Sequence, residues 1–221
     1  MNKIAHIFLA AALCLFLQEA ALAQLPTNGN LRPPESKNKN KSSNENEVNC
    51  NLGNSFQKNI CSSIEDNKAY LIKYQLQKKS NANSSDKIKA WTQTYYHCIY
   101  CKDEPGFSGG TMLRKVVFDN SLSVAFLLVY EMNVDMNYVE SDGQTLLDWL
   151  QNETEKIFDE LFETEDEDDK KWLLETMNNN LKFYNLFANN GAKFTHQLIE
   201  ERGQKMKEEE EAKKQEQEKK P

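Results

Sequence analysis

The sequence predicts an all-α fold, on three observations. Between residues 49 and 198 the apolar side chains recur every three or four positions. Almost nothing alternates at period two, so no half-buried strand is expected. Turn signals fall at Asp66-Asn67, Asp119-Asn120 and Asp142-Gly143, dividing the window into short helices that pair antiparallel.

The elements follow in chain order. Residues 1–23, MNKIAHIFLAAALCLFLQEAALA, carry Lys3, an apolar run from Ile4 to Leu17 and a small-x-small end at Ala21-Leu22-Ala23. That is the pattern of a signal peptide, and the run is shorter than the ~20 residues of a membrane span. Residues 24–48 are mostly Asn, Ser, Lys and Glu and have too little apolar surface to offset ordering entropy, which predicts a disordered linker. Ile60, Ile64, Leu71, Ile72 and Leu76 predict two helices broken near Asp66-Asn67. Ile88, Trp91, Tyr95 and Ile99 predict a helix over 86–101 opened by Ser85-Asp86, and EPGFSGG at 104–110 reads as a loop.

Met112–Phe118 and Leu122–Tyr130 then form a helix pair. Leu146, Leu150, Ile157 and Leu161 share one face of a long helix, and Leu174, Met177, Leu181 and Tyr184 line the next. The acidic run around Glu163–Asp169 lies between them. Residues 199–221, nearly all Glu, Lys and Gln, predict a charged tail, a solvated helix or a disordered segment, with Met206 its only large apolar side chain after Glu200.

The 221-residue chain has a net charge of −7, which disfavours nucleic acid and anionic membrane surfaces as partners. Beyond the leader there is no run long enough for membrane insertion. Cys50, Cys61, Cys98 and Cys101 remain after the leader, an even count that reads as two disulfides in an exported chain. One pairing closes Cys98 on Cys101 at the frayed end of the 86–101 helix and Cys50 on Cys61. The other crosses Cys61 to Cys98 or Cys101. Cys98-Ile-Tyr-Cys101 also has the spacing of a thiol-disulfide enzyme, without that family's strand-turn-helix setting. His97 beside these cysteines raises zinc, but the cysteines are better assigned to disulfides, so no metal and no cofactor is expected. No nucleophile elbow, metalloprotease helix or calcium-loop pattern occurs, and an enzyme is not expected.

One spacing recurs. GTMLRKVVFDNSLSVAFLLVYEMNVDMNYVESDGQTLLDWL, residues 110–150, resembles the ankyrin repeat, which reads Gly-x-Thr-Pro-Leu-His, a helix ending Leu-Leu, Asp-x-Asn, and Asp-Gly-x-Thr-Pro-Leu again. Gly109, Thr111 and Leu113 fit the first helix, Leu127-Leu128 the second, Asp135-Met136-Asn137 the Asp-x-Asn, and Asp142-Gly143, Thr145 and Leu147 the restart. Asn190-Gly191-Ala192-Lys193 sits at a later post-helix turn, and Leu71, Ile72, Leu76 and Asn81-Ala82-Asn83 trace an earlier unit. The departures are Met112 and Leu146 at the proline place, Arg114 and Asp148 at the histidine place, and one extra residue before Asp135.

The resemblance implies a short array of about three repeats with inserted helices, over 49–198, acting as a protein-binding module. A periplasmic or secreted protein is the partner implied, and the acidic segment Glu163–Asp169 would steer a basic one in a salt-dependent way. The turn tip Tyr138, Val139, Glu140 and Ser141 would meet it, together with Lys115, Phe118, Trp149 and Asn152 on the first helices. A toxin-neutralising immunity protein is a narrower reading of the same kind, and a redox protein using Cys98 and Cys101 is the reading from another class.

Overall fold

The computed structural model describes residues 50–218. The predicted signal peptide 1–23, the linker 24–48 and the last three residues of the tail lie outside the described residues. Eight α-helices are described, and the fold is all-α.

The first two helices are α1 (Asn54–Glu65) and α2 (Ala69–Ser80). Ile60 and Ile64 of α1 and Ile72 and Leu76 of α2 are fully buried, so the three-to-four spacing that predicted the pair also packs it. The chain reverses at Asn67, whose φ of 50° is left-handed, a conformation asparagine tolerates better than most residues. Helix α3 (Ser85–Tyr95) starts on Ser84, whose hydroxyl accepts from the Lys87 N–H.

Helix α3 ends six residues before the expected 101. A 3-10 turn (Tyr96–Cys98) follows, and Ile99 is extended. Tyr100–Cys101 then forms β1, which pairs antiparallel with β2 (Gly110–Thr111). The loop predicted at 104–110 is thus closed by a two-residue ladder. Gly110 is required at its end, because a Cβ there would stand 2.7 Å from Cδ of Arg114.

Helix α4 (Met112–Phe118) is the centre of the molecule. Its residues Met112 to Val117 are all buried, and it packs on α1, on α5 and on α6. Helix α5 (Leu122–Phe126) continues into a π-helical turn, Leu127–Met132, that ends at left-handed Asn133.

The turns of the two helix pairs have the same hydrogen bonds. Asp66, Asn67 and Lys68 donate to Ser62, Ile64 and Ser63, as Asp119, Asn120 and Ser121 donate to Lys115, Val117 and Val116. The turns are also joined: the Ser121 hydroxyl donates to the Ile64 carbonyl, and the Ser123 N–H to Asn67 Oδ1 at 3.1 Å.

Helices α6 (Leu146–Glu163) and α7 (Glu167–Asn189) form a long hairpin, followed by α8 (Thr195–Glu218). Thr145 caps α6 through a reciprocal box with Asp148. Asp166 caps α7 by accepting from Asp168 and Asp169, so part of the acidic run lies where a helix N-terminus favours negative charge. The buried face of α7 is Leu173, Asn180, Phe183 and Phe187, one residue off the predicted stripe, and Leu174 and Leu181 are exposed. The distal half of the hairpin touches little but itself, so burial there follows the contact between the two helices. The tail takes the helical form of the two expected, with its side chains in solvent from Arg202 to Gln215.

Candidate functional site

Both disulfides form, crosswise: Cys50–Cys98 and Cys61–Cys101. The Cys98–Cys101 and Cys50–Cys61 pairing is therefore corrected. Its premise was a helix running to 101, and the chain instead turns at 96–98 and extends, giving each cysteine a different neighbour. Cys98 and Cys101 accordingly do not form the closed Cys-x-x-Cys disulfide that a redox protein would use. A ring nitrogen of His97 lies within 4.8 Å of the sulfurs of Cys50 and Cys98.

Three of the eight predicted contact residues belong to the interior. Lys115 is 2% exposed, because its ammonium is taken up by Glu104 and by Asp119 at 2.9 Å, and it lies over the rings of Phe107 and Phe118. Burial works to lower its pKa, but the bonds to Glu104 and Asp119 hold it above the ordinary lysine value. Glu140 is 9% exposed, accepting from the Thr111 N–H at 3.1 Å and facing Arg114 Nε at 3.1 Å.

Trp149 is 5% exposed. It meets Phe107 edge-on at 6.4 Å, and the Arg114 guanidinium lies 5.5 Å from its ring centre. Charged residues are rarely buried unless paired. Besides the local Lys115–Asp119 pair, Lys115 and Glu140 each have a partner distant in sequence, Glu104 and Arg114. Periodicity carries no trace of such a partner.

The other five are at the surface. Tyr138, Val139 and Ser141 stand on the tip of the 133–145 loop, and the Tyr138 ring lies 5.8 Å from His97. Phe118 is exposed at the end of α4, and Asn152 is half-buried on α6.

The loop is rigidly held. Its Asp142-Gly143 turn takes φ +81° at Gly143, and Gly143 N–H donates to the Glu140 carbonyl at 2.9 Å. Asp142 accepts twice from Arg114, at 2.5 and 3.1 Å. Burial works to raise the pKa of Asp142, but Arg114 and the Gln144 N–H hold the carboxyl below its ordinary value. Asn137 reaches the following turn, donating to the Gly191 carbonyl at 3.0 Å and accepting from the Lys193 N–H at 2.7 Å. Asp148 likewise accepts from the Thr195 N–H at 3.0 Å. Against the effect of burial, the Thr195 and Thr145 donors keep its pKa low.

This scaffold creates an open cleft along α6. It is lined by Ser108, by Asp142 and Gln144 of the turn, and from α6 by Trp149, Asn152, Glu153, Glu155, Lys156 and Asp159. Four carboxylates and one lysine line it; Asp142 is paired by Arg114 and Glu153 by that lysine at 2.5 Å, so Glu155 and Asp159 carry its net charge. Of the eight predicted contact residues, Trp149 and Asn152 line this cleft, with Trp149 buried in it. Glu153, Glu155 and Asp159 were not predicted. Their signal was legible: Glu153 falls four residues after Trp149, Glu155 three after Asn152 and Asp159 three after Lys156, all at helical spacing.

Elsewhere, Tyr70 and Tyr74 of α2 and the stacked Phe126 and Tyr130 of α5 and its π-turn expose aromatic rings. No described helix is long and apolar enough to cross a membrane. The architecture is an all-α fold clamped by two disulfides. No protein-family model matches the chain, and neither does any curated protein or solved structure.

Proposed function

We propose that this chain is an exported protein-interaction module built on a degenerate ankyrin-like array, and that it binds a basic segment of a periplasmic or secreted protein in the α6 cleft. The observation that carries the reading is the cleft itself, lined by four carboxylates and one lysine together with the buried Trp149. Its electrostatics select a cationic partner and hasten its arrival. The repeat reading draws support from the matching turns of α1–α2 and α4–α5 and from the loop-to-loop bonds of Asn137. Export draws support from the two disulfides, which persist in oxidising compartments.

The test is calorimetric titration of the chain with lysine- and arginine-rich peptides. Saturable binding that weakens with salt, and at least tenfold in the folded Glu153→Gln, Glu155→Gln, Asp159→Asn triple variant, is expected. Equal binding by the triple variant would move the function elsewhere.

A further inference from the structure

Cys50, His97 and Cys98 place two sulfurs and an imidazole nitrogen within 4.8 Å of one another. In a zinc site with Zn–S of about 2.3 Å and Zn–N of about 2.0–2.1 Å, ligand atoms stand roughly 3.5–3.8 Å apart. The imidazole is therefore already near coordinating distance of both sulfurs, which the bond between them holds closer together than two zinc ligands stand. What prevents coordination is the Cys50–Cys98 bond, since the metal ligand is a thiolate and not a disulfide.

The two bridges differ in access. Cys50 is exposed, whereas Cys61 is half-buried and its partner Cys101 is 1% exposed. Thiol–disulfide exchange depends on access to the sulfur attacked, so Cys50 is where a reductant enters. We infer that Cys50, His97 and Cys98 form a redox-gated zinc site, shut while the bridge is closed and able to hold Zn²⁺ once a dithiol reductant opens it.

The steps balance. A thiolate of the dithiol attacks Cys50 Sγ, forming a mixed disulfide and releasing Cys98 as a thiolate. The second thiol of the reductant closes on the first, releasing Cys50, so the reductant is oxidised by two electrons and the bridge is reduced by two. Zn²⁺ then takes both sulfurs with loss of their protons, and neutral His97 donates a ring nitrogen. Water fills the fourth place of the tetrahedron.

Cys98 is held in the buried 3-10 turn, with its carbonyl accepting from Gln57 at 3.4 Å. The Cys61–Cys101 bridge still ties α1 to β1 after the first has opened. The ring of His97 faces Tyr138 on the loop tip, so a metal-bound imidazole would be oriented against that tip.

The experiment is limited reduction of the purified chain by a dithiol, with peptide mapping of the freed thiols. Zinc affinity is then measured by competition with a chromophoric chelator, and thiolate ligation is read from the absorption of the cobalt-substituted form. Cys50 and Cys98 should be freed first. The reduced chain should bind one zinc with two thiolates, and the oxidised chain should not bind at that affinity. His97→Ala removes a ligand but neither bridge, and should weaken zinc at least tenfold. The inference is overturned if Cys61–Cys101 opens first, if the oxidised chain binds as tightly, or if His97→Ala leaves the affinity unchanged.

Discussion

Arg114 and Lys115 are adjacent in the sequence and both are 2% exposed, so each has to bring counter-charge into the interior with it. Arg114 joins Glu140 and Asp142 and also donates to the Gln144 carbonyl, while Lys115 joins Glu104 and Asp119. Removing one partner of such a set leaves an uncompensated buried charge, at a cost of about 3–5 kcal/mol. Arg114→Ala should therefore destabilise the chain by about that much in urea unfolding, and loosen the 140–145 loop. The paired carboxylates also set an acid limit. Asp142 and Asp148 have folded pKa values below the ordinary one, so their stabilisation is present above the unfolded value of about 3.9 and is lost as the pH falls through the lower folded values. Asp119, raised by burial against the pull of Lys115, acts with the opposite sign. Unfolding followed from neutral pH downward should show a shallower acid limb in the Asp142→Asn, Asp148→Asn double variant. Of these pairings only the local ones, Lys115–Asp119 four residues apart and Thr145–Asp148 in the capping box, have spacings a sequence can carry. Lys115 and Glu140 were expected at a binding surface because they fall at the first-helix and turn-tip places of the repeat; the distant partners that bury them, Glu104 and Arg114, lie 11 and 26 residues away.

Helices announce themselves by period, and those here fell close to where the period put them. The break at Asp66-Asn67 and the α4–α5 pair were legible because asparagine and the apolar spacing act locally. The end of α3 was not, because Ile99 continues the period into a segment that β2 and the disulfides hold extended. The α7 stripe was misread by one position for a related reason: Leu173 and Leu174 are adjacent, and only contact with α6 selects between them. Leu173→Ala should cost about 2–5 kcal/mol by thermal or urea unfolding, whereas Leu174→Ala should change little. At the turns, Asn120 takes φ 52°, where a residue with a branched Cβ is strained. Asn120→Gly should be tolerated, and Asn120→Val should cost about 1–2 kcal/mol.

Across the whole molecule one continuous core runs from Leu52 to Phe194, and α8 leaves it within its first turns. Deleting residues 204–221 should leave the melting temperature nearly unchanged, because that stretch buries no described side chain. The all-α class and the helix-pair order were readable from the sequence, since both follow from patterning. The cleft was readable only in part, since some of its lining comes from loops that long-range bonds through Arg114 and Asn137 set in place. The central claim is that the acidic cleft, and no other face, receives a basic partner. It is tested most directly by mapping backbone amide shifts as a lysine- and arginine-rich peptide is titrated in. The account predicts perturbations concentrated at Ser108, Gln144 and residues 152–159. Perturbations centred instead on Tyr70, Tyr74, Phe126 and Tyr130, with α6 unmoved, would contradict it.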